Sequence, residues 1–240
     1  MAPPLLDTVY RHDTLYRVSV IWERPEPGER RSVRLSRQAV TAAAVALADV
    51  EGLEAVSLRR VAAALGTGPM RLYGYLDSKD DLLDLMMDAV CGEIPPPPPG
   101  DWRDELRAIA WDTQRTARRH PWYVTLLGTR QPYGPNGLAY SERLFAAVAR
   151  LGLPARLTVH AVDAVRAYIA GFLQLELLSG PEAEPGEKKL AYLARSVATG
   201  RYPTLAWIIA EFEAVGPEEA FAEGLERVLD GIAAARPGAP

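Results

Sequence analysis

A single cysteine, Cys91, stands among 240 residues. No internal disulfide can form, which fits a reducing compartment. Histidine is nearly as scarce: His12, His120 and His160 are scattered and make no HExxH pair. No apolar run approaches the roughly 18 charge-free residues of a membrane span. The opening "MAPPLLDTVYRHD" has no basic start leading into an apolar core, so it does not read as a signal peptide. A cytoplasmic protein without membrane contact is expected. Phosphate loops are missing too, because Gly66-Thr67-Gly68 lacks both the third glycine of a dinucleotide loop and a preceding strand. No GxSxG nucleophile elbow occurs. These absences point away from an enzyme and give no reason to expect a metal or a cofactor. An excess of positive charge is lacking as well. The net charge of −4 excludes a protein that coats nucleic acid indiscriminately.

What is present is a helical, globular composition, 48% hydrophobic and 24% charged, long enough for one or two domains with real cores. Four regions separate: a leader (residues 1–35), a compact helical block (36–91), a proline-rich linker (92–100) and a larger helical body (101–236). The linker carries five consecutive prolines, which favour a semi-rigid polyproline II spacer. In the leader, residues 14–22 ("TLYRVSVIW") have the composition of a short strand, and "RPEPGERRSVR" after them reads as a flexible arm. Arginines 24, 30, 31, 34 and 37 make this a basic segment on an acidic chain. It is open to two readings, a solvated tail or a localised anion contact.

The block divides at its caps. Ser36 caps a first helix with Val40, Ala44 and Leu47 on one face, and Gly52 ends it. Ser57 caps a second, with Val56 and Val61 placed for a hydrophobic staple and Leu58, Val61, Ala62 and Leu65 on the inward stripe. After the turn Gly66-Thr67-Gly68, Pro69 opens a third helix over residues 69–76, with Leu72 and Leu76 inward. Ser78 caps a fourth, with Asp81 at the capping-box position. Two short helices joined by a glycine-bearing turn make a helix-turn-helix.

A helix that enters the major groove shows small or polar side chains outward. The candidate contacts on the third helix are Pro69, Met70, Arg71, Tyr73, Gly74 and Tyr75. Arg71 is the base reader, because a guanidinium can bond guanine O6 and N7 together. Tyr73 and Tyr75 can reach phosphate or pack inward. Lys79, Ser57 and Arg59 suit phosphate, the latter two beside a helix N-terminus. Gly74, read as interior to the helix, either permits close approach to DNA or is a tolerated weakness of about 1 kcal/mol.

At this point residues 36–91 resemble the N-terminal domain of the TetR family of transcriptional repressors. The family pattern, an (S/T)-x-R-x-(V/L)-A-x-x-L-G helix, an L-Y recognition helix and a lysine opening the next, is met by Ser57, Arg59, Val61, Ala62, Leu65, Gly66, Leu72, Tyr73 and Lys79. After L-Y the chain has Gly74 and Tyr75 in place of the family's usual residues, so no operator sequence carries over. The resemblance implies an all-α protein: an N-terminal three-helix DNA-binding domain and a larger C-terminal ligand-binding and dimerisation domain. It implies a homodimer on palindromic double-stranded operator DNA, released by a small-molecule effector. It also lends weight to Arg30, Arg31 and Arg34 as a minor-groove arm. The alternative is a ligand-binding or protein-interaction module that no longer binds DNA.

In the body, helices are expected from Asp101 to His120, from Asn136 to Gly152, from Pro154 to about Leu178, over 187–199, through "TLAWIIAEFEA", and from Pro217 to about Ala235. By resemblance, the helices after Pro154 and Pro217 would pair with their copies as a four-helix interface, although their apolar stripes suit an intramolecular core equally. Trp111, Trp122, Tyr123, Tyr140, His160, Tyr168, Phe172, Gln174 and Trp207 are candidate cavity residues, each able to serve as core instead. As a set they suggest a bulky, hydrophobic or aromatic effector.

Overall fold

The computed structural model describes residues 20–27, 35–178 and 186–235, and among these the regular elements are all helical. Arg30, Arg31 and Arg34 lie outside the described residues, as do residues 14–19 of the expected strand. Its described end is no strand: Ile21–Glu23 forms one 3-10 turn that seats Ile21 in the core. Nor is the following stretch loose at its start. Arg24 pairs with Asp77 (2.6 Å) and Asp81 (3.0 Å), while Arg37 donates to the carbonyls of Arg24 (2.5 Å) and Tyr75 (2.9 Å). Two arginines of the basic segment thus hold the leader against the helical block.

Four helices build that block: α1 (Arg37–Glu51), α2 (Leu58–Ala64), α3 (Pro69–Leu72) and α4 (Lys79–Cys91). The caps fall where expected. Ser36, Ser57 and Ser78 each accept a bond from the amide three residues on. Asp81 departs from the capping box, since its carboxylate accepts from the Asp77 amide. Gly66, at φ +63°, closes α2. The Thr67 amide bonds Ala62 O and the Gly66 amide bonds Ala63 O, the paired closure of a Schellman motif. Val40, Ala44, Val56, Val61, Leu72, Leu76, Leu82 and Met86 form the block's core.

The body comprises α5 (Trp102–Arg119), α6 (Tyr123–Leu127), α7 (Pro135–Ala149), α8 (Ala155–Leu173), α9 (Glu187–Ala198), α10 (Pro203–Glu211) and α11 (Pro217–Ala234). A π-helical turn, Gln174–Leu178, extends α8. Ile94, placed in the linker on sequence grounds, is buried, so the exposed connection between block and body begins at Pro95. Helix α8 is the spine, packed against α5, α7 and α11.

Helix α11 is fastened to α5 by a bidentate bridge from Arg107 to Glu226 (2.5 and 2.9 Å) and by Arg103, which reaches Glu226 (2.9 Å) and Asp230 (2.7 Å). The Arg107 guanidinium, assisted by Arg103, holds the Glu226 carboxyl below its ordinary value. A depressed carboxylate contributes stability above the unfolded carboxylate range and loses it as pH falls through the folded value. We expect Glu226→Gln to lower stability by about 1 kcal/mol at pH 7, the upper end for a part-exposed pair. Thermal melts of variant and wild type should converge as pH drops below the carboxylate range.

Candidate DNA-reading face and effector cavity

The reading face is set by two anchors. Leu72 and Leu76 are fully buried, which turns the intervening side chains outward. Arg71 and Tyr73 both face solvent, as do Pro69, Met70 and Gly74. Helix α3 stops at Leu72, with the amides of Tyr75 (2.8 Å) and Leu76 (3.1 Å) both bonding Leu72 O. Gly74 therefore lies in the turn that follows α3, enclosed by the Leu76-to-Leu72 bond rather than in a continuous helix interior. A Cβ there would meet only Arg71 O and Pro27 Cγ, both at 3.5 Å. Packing does not demand glycine at this position. Tyr75 turns the other way: it is half-buried and packs against the core.

Arg59 and Lys79 are exposed, each at the start of a helix. Ser57 is half-buried, and its hydroxyl accepts the Arg60 amide at 3.3 Å. Arg60 bridges to Glu51 at 2.5 Å. Arg59 and Arg71 make no ion pair among the described residues, so their charge is available to an external anion.

Block and body meet at several polar joints: Arg130 of the body bridges to Asp80 and Asp84 of α4, and two others centre on Asp88 and Asp49. In the first, Asp88 of α4 is buried against the N-terminus of α7, where it accepts the Gly137 amide (2.9 Å) and the Asn136 side-chain amide (3.1 Å). Burial raises the Asp88 carboxyl pKa, and these bonds oppose the rise. In the second, Asp49 of α1 takes the Trp122 indole N–H at 2.6 Å and lies 2.7 Å from His120 Nδ1. His120 Nε2 lies 3.1 Å from Glu93, which Arg119 also holds at 2.8 Å.

A cavity of about 290 Å³ opens where α4, α5, α6, α7 and α8 converge. Met87, Leu127 and Ile169 give it apolar wall; Thr113, Tyr123 and Tyr140 give it hydroxyls. Tyr140 and Thr113 oxygens are 3.2 Å apart, and Tyr123 OH is 3.2 Å from Cys91 Sγ. Burial pushes the Cys91 thiol up to about 11, so at neutral pH it is a protonated, unreactive wall group.

Of the nine cavity candidates named on sequence grounds, Tyr123 and Tyr140 line this space. The others are placed elsewhere. Trp122 belongs to the Asp49 joint. Trp111, Tyr168 and Phe172 gather around Phe221, with ring centroids 4.9–5.6 Å from it, and tie α5, α8 and α11 together. His160, Gln174 and Trp207 are exposed. Cys91, Thr113, Asp163 and Arg166 line the cavity and escaped the sequence reading. A signal for Arg166 existed: it interrupts the buried positions Val162, Val165 and Ile169 of α8.

Comparison with known proteins agrees with this arrangement. Residues 40–86 match the bacterial regulatory proteins of the tetR family, and residues 94–236 match the tetracyclin repressor-like C-terminal domain. The chain is similar to the HTH-type transcriptional repressor DrrR1 of Streptomyces coeruleorubidus, 35% identical over 237 residues that cover 92% of this chain and 86% of that protein. It is similar also to an HTH-type transcriptional regulator of Saccharopolyspora erythraea, 33% identical over 218 residues, covering 89% and 91%. The solved complex of the Streptomyces coelicolor TetR family protein ActR with actinorhodin aligns with a TM-score of 0.74 at 26% identity, over 85% of this chain and 99% of that one. With both domain matches in place around a helix-turn-helix whose reading side chains face outward, the chain belongs to the TetR family of transcriptional regulators.

Proposed function

We propose that this chain is a cytoplasmic repressor that binds a palindromic operator as a homodimer and leaves it when a small aromatic effector fills the cavity between α4 and α8. The observation that carries the reading is the outward projection of Arg71 and Tyr73 from a turn anchored by Leu72 and Leu76. In this reading Arg71 reads a base, while Tyr73, Lys79, Arg59 and Ser57 hold phosphate. The two α3 elements of the dimer enter successive major grooves about 34–36 Å apart. The rival reading, a module without DNA binding, drew on Gly74 weakening the recognition helix. Gly74 stands in the turn after α3, and DNA binding itself separates the two readings.

Pairing with a second copy is supported by apolar side chains left exposed on α9 and α10, among them Tyr192 and Trp207, by Phe212 just past the end of α10, and by Val159 on the outer face of α8. The effector reading rests on the cavity's position. Its wall includes Met87 and Cys91 of α4, the helix that also packs on α1. An occupant that moves α4 changes the separation of the two reading heads. A volume near 290 Å³ is at the small end of ligand sites, which run from about 300 to 1,000 Å³. It favours a compact occupant over the bulky one expected from the aromatic count. No helix among the described residues is long and apolar enough to cross a membrane.

Footprinting on DNA adjoining the gene, followed by a screen for compounds that release the complex, tests the proposal. Coupling between sites is reciprocal, so operator must weaken effector binding by the factor through which effector weakens operator binding. Equal effector affinity for free and DNA-bound protein would overturn the release mechanism. Absence of any footprint would return the module without DNA binding.

A further inference from the structure

Most arginines of the body answer a carboxylate: Arg103, Arg107, Arg115, Arg118, Arg119, Arg130 and Arg150 all form ion pairs. Arg166, half-buried on α8 and lining the cavity, forms none among the described residues. Its side-chain hydrogen bond goes to the Ser141 hydroxyl at 2.6 Å, and its guanidinium lies over the Phe145 ring at 5.7 Å. Both partners are neutral. A second uncompensated guanidinium stands close by. Arg143 lies over the Tyr140 ring at 6.0 Å, with its Nε buried and without a hydrogen-bond partner. The positive charge of Arg166 acts on the Cys91 thiol and on the Tyr123 and Tyr140 phenols, all three lining the cavity. One acidic group shares the lining: Asp163, one turn before Arg166, exposed and within ion-pair distance of no arginine among the described residues. Arg130, the other cationic lining residue, is neutralised by Asp80 and Asp84.

A part-buried guanidinium with only neutral partners is an electrostatic deficit that a ligand anion can fill. Around it are apolar wall, two phenols and the Thr113 hydroxyl. We propose that the effector is an aromatic carboxylic acid, ionised at neutral pH, whose carboxylate pairs with Arg166 while its ring system lies between Tyr123, Tyr140 and Ile169. This deepens the effector reading above and rests on it. The phenols remain protonated at neutral pH, since burial raises both. They can donate to the carboxylate or to ring oxygens, and so add orientation to the charge pairing.

The test uses the full-length protein and two isosteric probes, 2-naphthoate and 2-naphthamide, titrated calorimetrically at pH 7.5. Wild type should bind the acid about 5- to 13-fold tighter than the amide, the difference between a charge-assisted hydrogen bond and a neutral one. Arg166→Met should bring the two affinities together, and Arg166→Lys should retain part of the preference. Asp163→Asn should tighten naphthoate about two- to fivefold by removing a like charge, with naphthamide unchanged. Tyr123→Phe should weaken both probes and keep the preference. Equal binding of acid and amide to wild type, or a preference that survives Arg166→Met in a variant with an unchanged melting curve, overturns the proposal and leaves the cavity standing as an effector site. Binding that survives Ala167→Trp, a large side chain set into the lining, places the probes elsewhere and defeats the cavity reading itself. Failure of both probes to bind wild type counts against both the carboxylate reading and the cavity reading.

Discussion

Arg71→Ala should lower operator affinity by about 5- to 150-fold, the range expected when a bidentate guanine contact worth ~1–3 kcal/mol is lost. Thermal stability should not change, because the side chain is exposed and makes no ion pair among the described residues. The pattern of loss matters as much as its size. A base reader discriminates, so the variant should lose affinity for the cognate site and little for DNA mutated at the contacted base pair. Tyr73→Phe and Lys79→Gln should weaken all sequences alike, and Lys79→Gln should flatten the salt dependence by about one unit of slope. The same titration reads the basic leader. Replacing Arg30, Arg31 and Arg34 together by alanine is the appropriate change, because deleting the whole leader would also remove Ile21 from the core and Arg24 from Asp77 and Asp81. An unaltered salt slope in the triple variant would remove the minor-groove arm from the mechanism. Uniform loss in Arg71→Ala, across cognate and mutated sites, would demote that residue to a phosphate contact.

How much of this could be read from the chain depended on the range of the interaction. Helix starts were legible because they are local. Ser36, Ser57, Ser78 and Asp101 cap helices within three residues of themselves, and Pro69 and Pro217 each open one. The turn at Gly66 was legible for the same reason. The leader was not. Whether Arg24 meets DNA or Asp81 is decided by a partner 57 positions away, which neither periodicity nor composition reveals. Gly74 was misplaced by two residues of helix, since a helix of one turn ends on hydrogen-bond geometry that the sequence leaves undecided. Aromatic content misled the cavity reading most. Large rings fill core and cavity alike, and Trp111, Tyr168 and Phe172 went to an aromatic cluster around Phe221. The better signal was positional: an arginine set among the buried positions Val162, Val165 and Ile169 of α8.

The second large effect is expected at the joint between block and body. A Cβ on Gly134 would overlap the Asp88 carboxylate and lie 2.7 Å from Trp22 Cζ2, so Gly134→Ala must displace one of them. Asp88 has nowhere cheap to go. It is 6% exposed and holds the Gly137 amide and the Asn136 side chain at the N-terminus of α7. Moving it removes a cap and leaves buried donors unmatched, a loss of about 2–4 kcal/mol on the usual scale for caps and orphaned polar groups. Asp88→Asn keeps the shape and one acceptor, and it relieves the burial of a charge whose pKa burial has raised. It should therefore cost less than Gly134→Ala, and its deficit should shrink as pH rises. A carboxyl with an elevated folded pKa contributes stability at low pH that disappears as pH climbs through that value. Asp88 lies on α4 and its partners on α7, so in the release mechanism proposed above this joint would be one connection between effector cavity and reading head. Gly134→Ala, assayed below its melting range, should retain DNA binding through an intact α1–α3 face yet respond less to effector. A variant that melts early but releases operator with wild-type sensitivity would show that the signal does not run through the Asp88 joint.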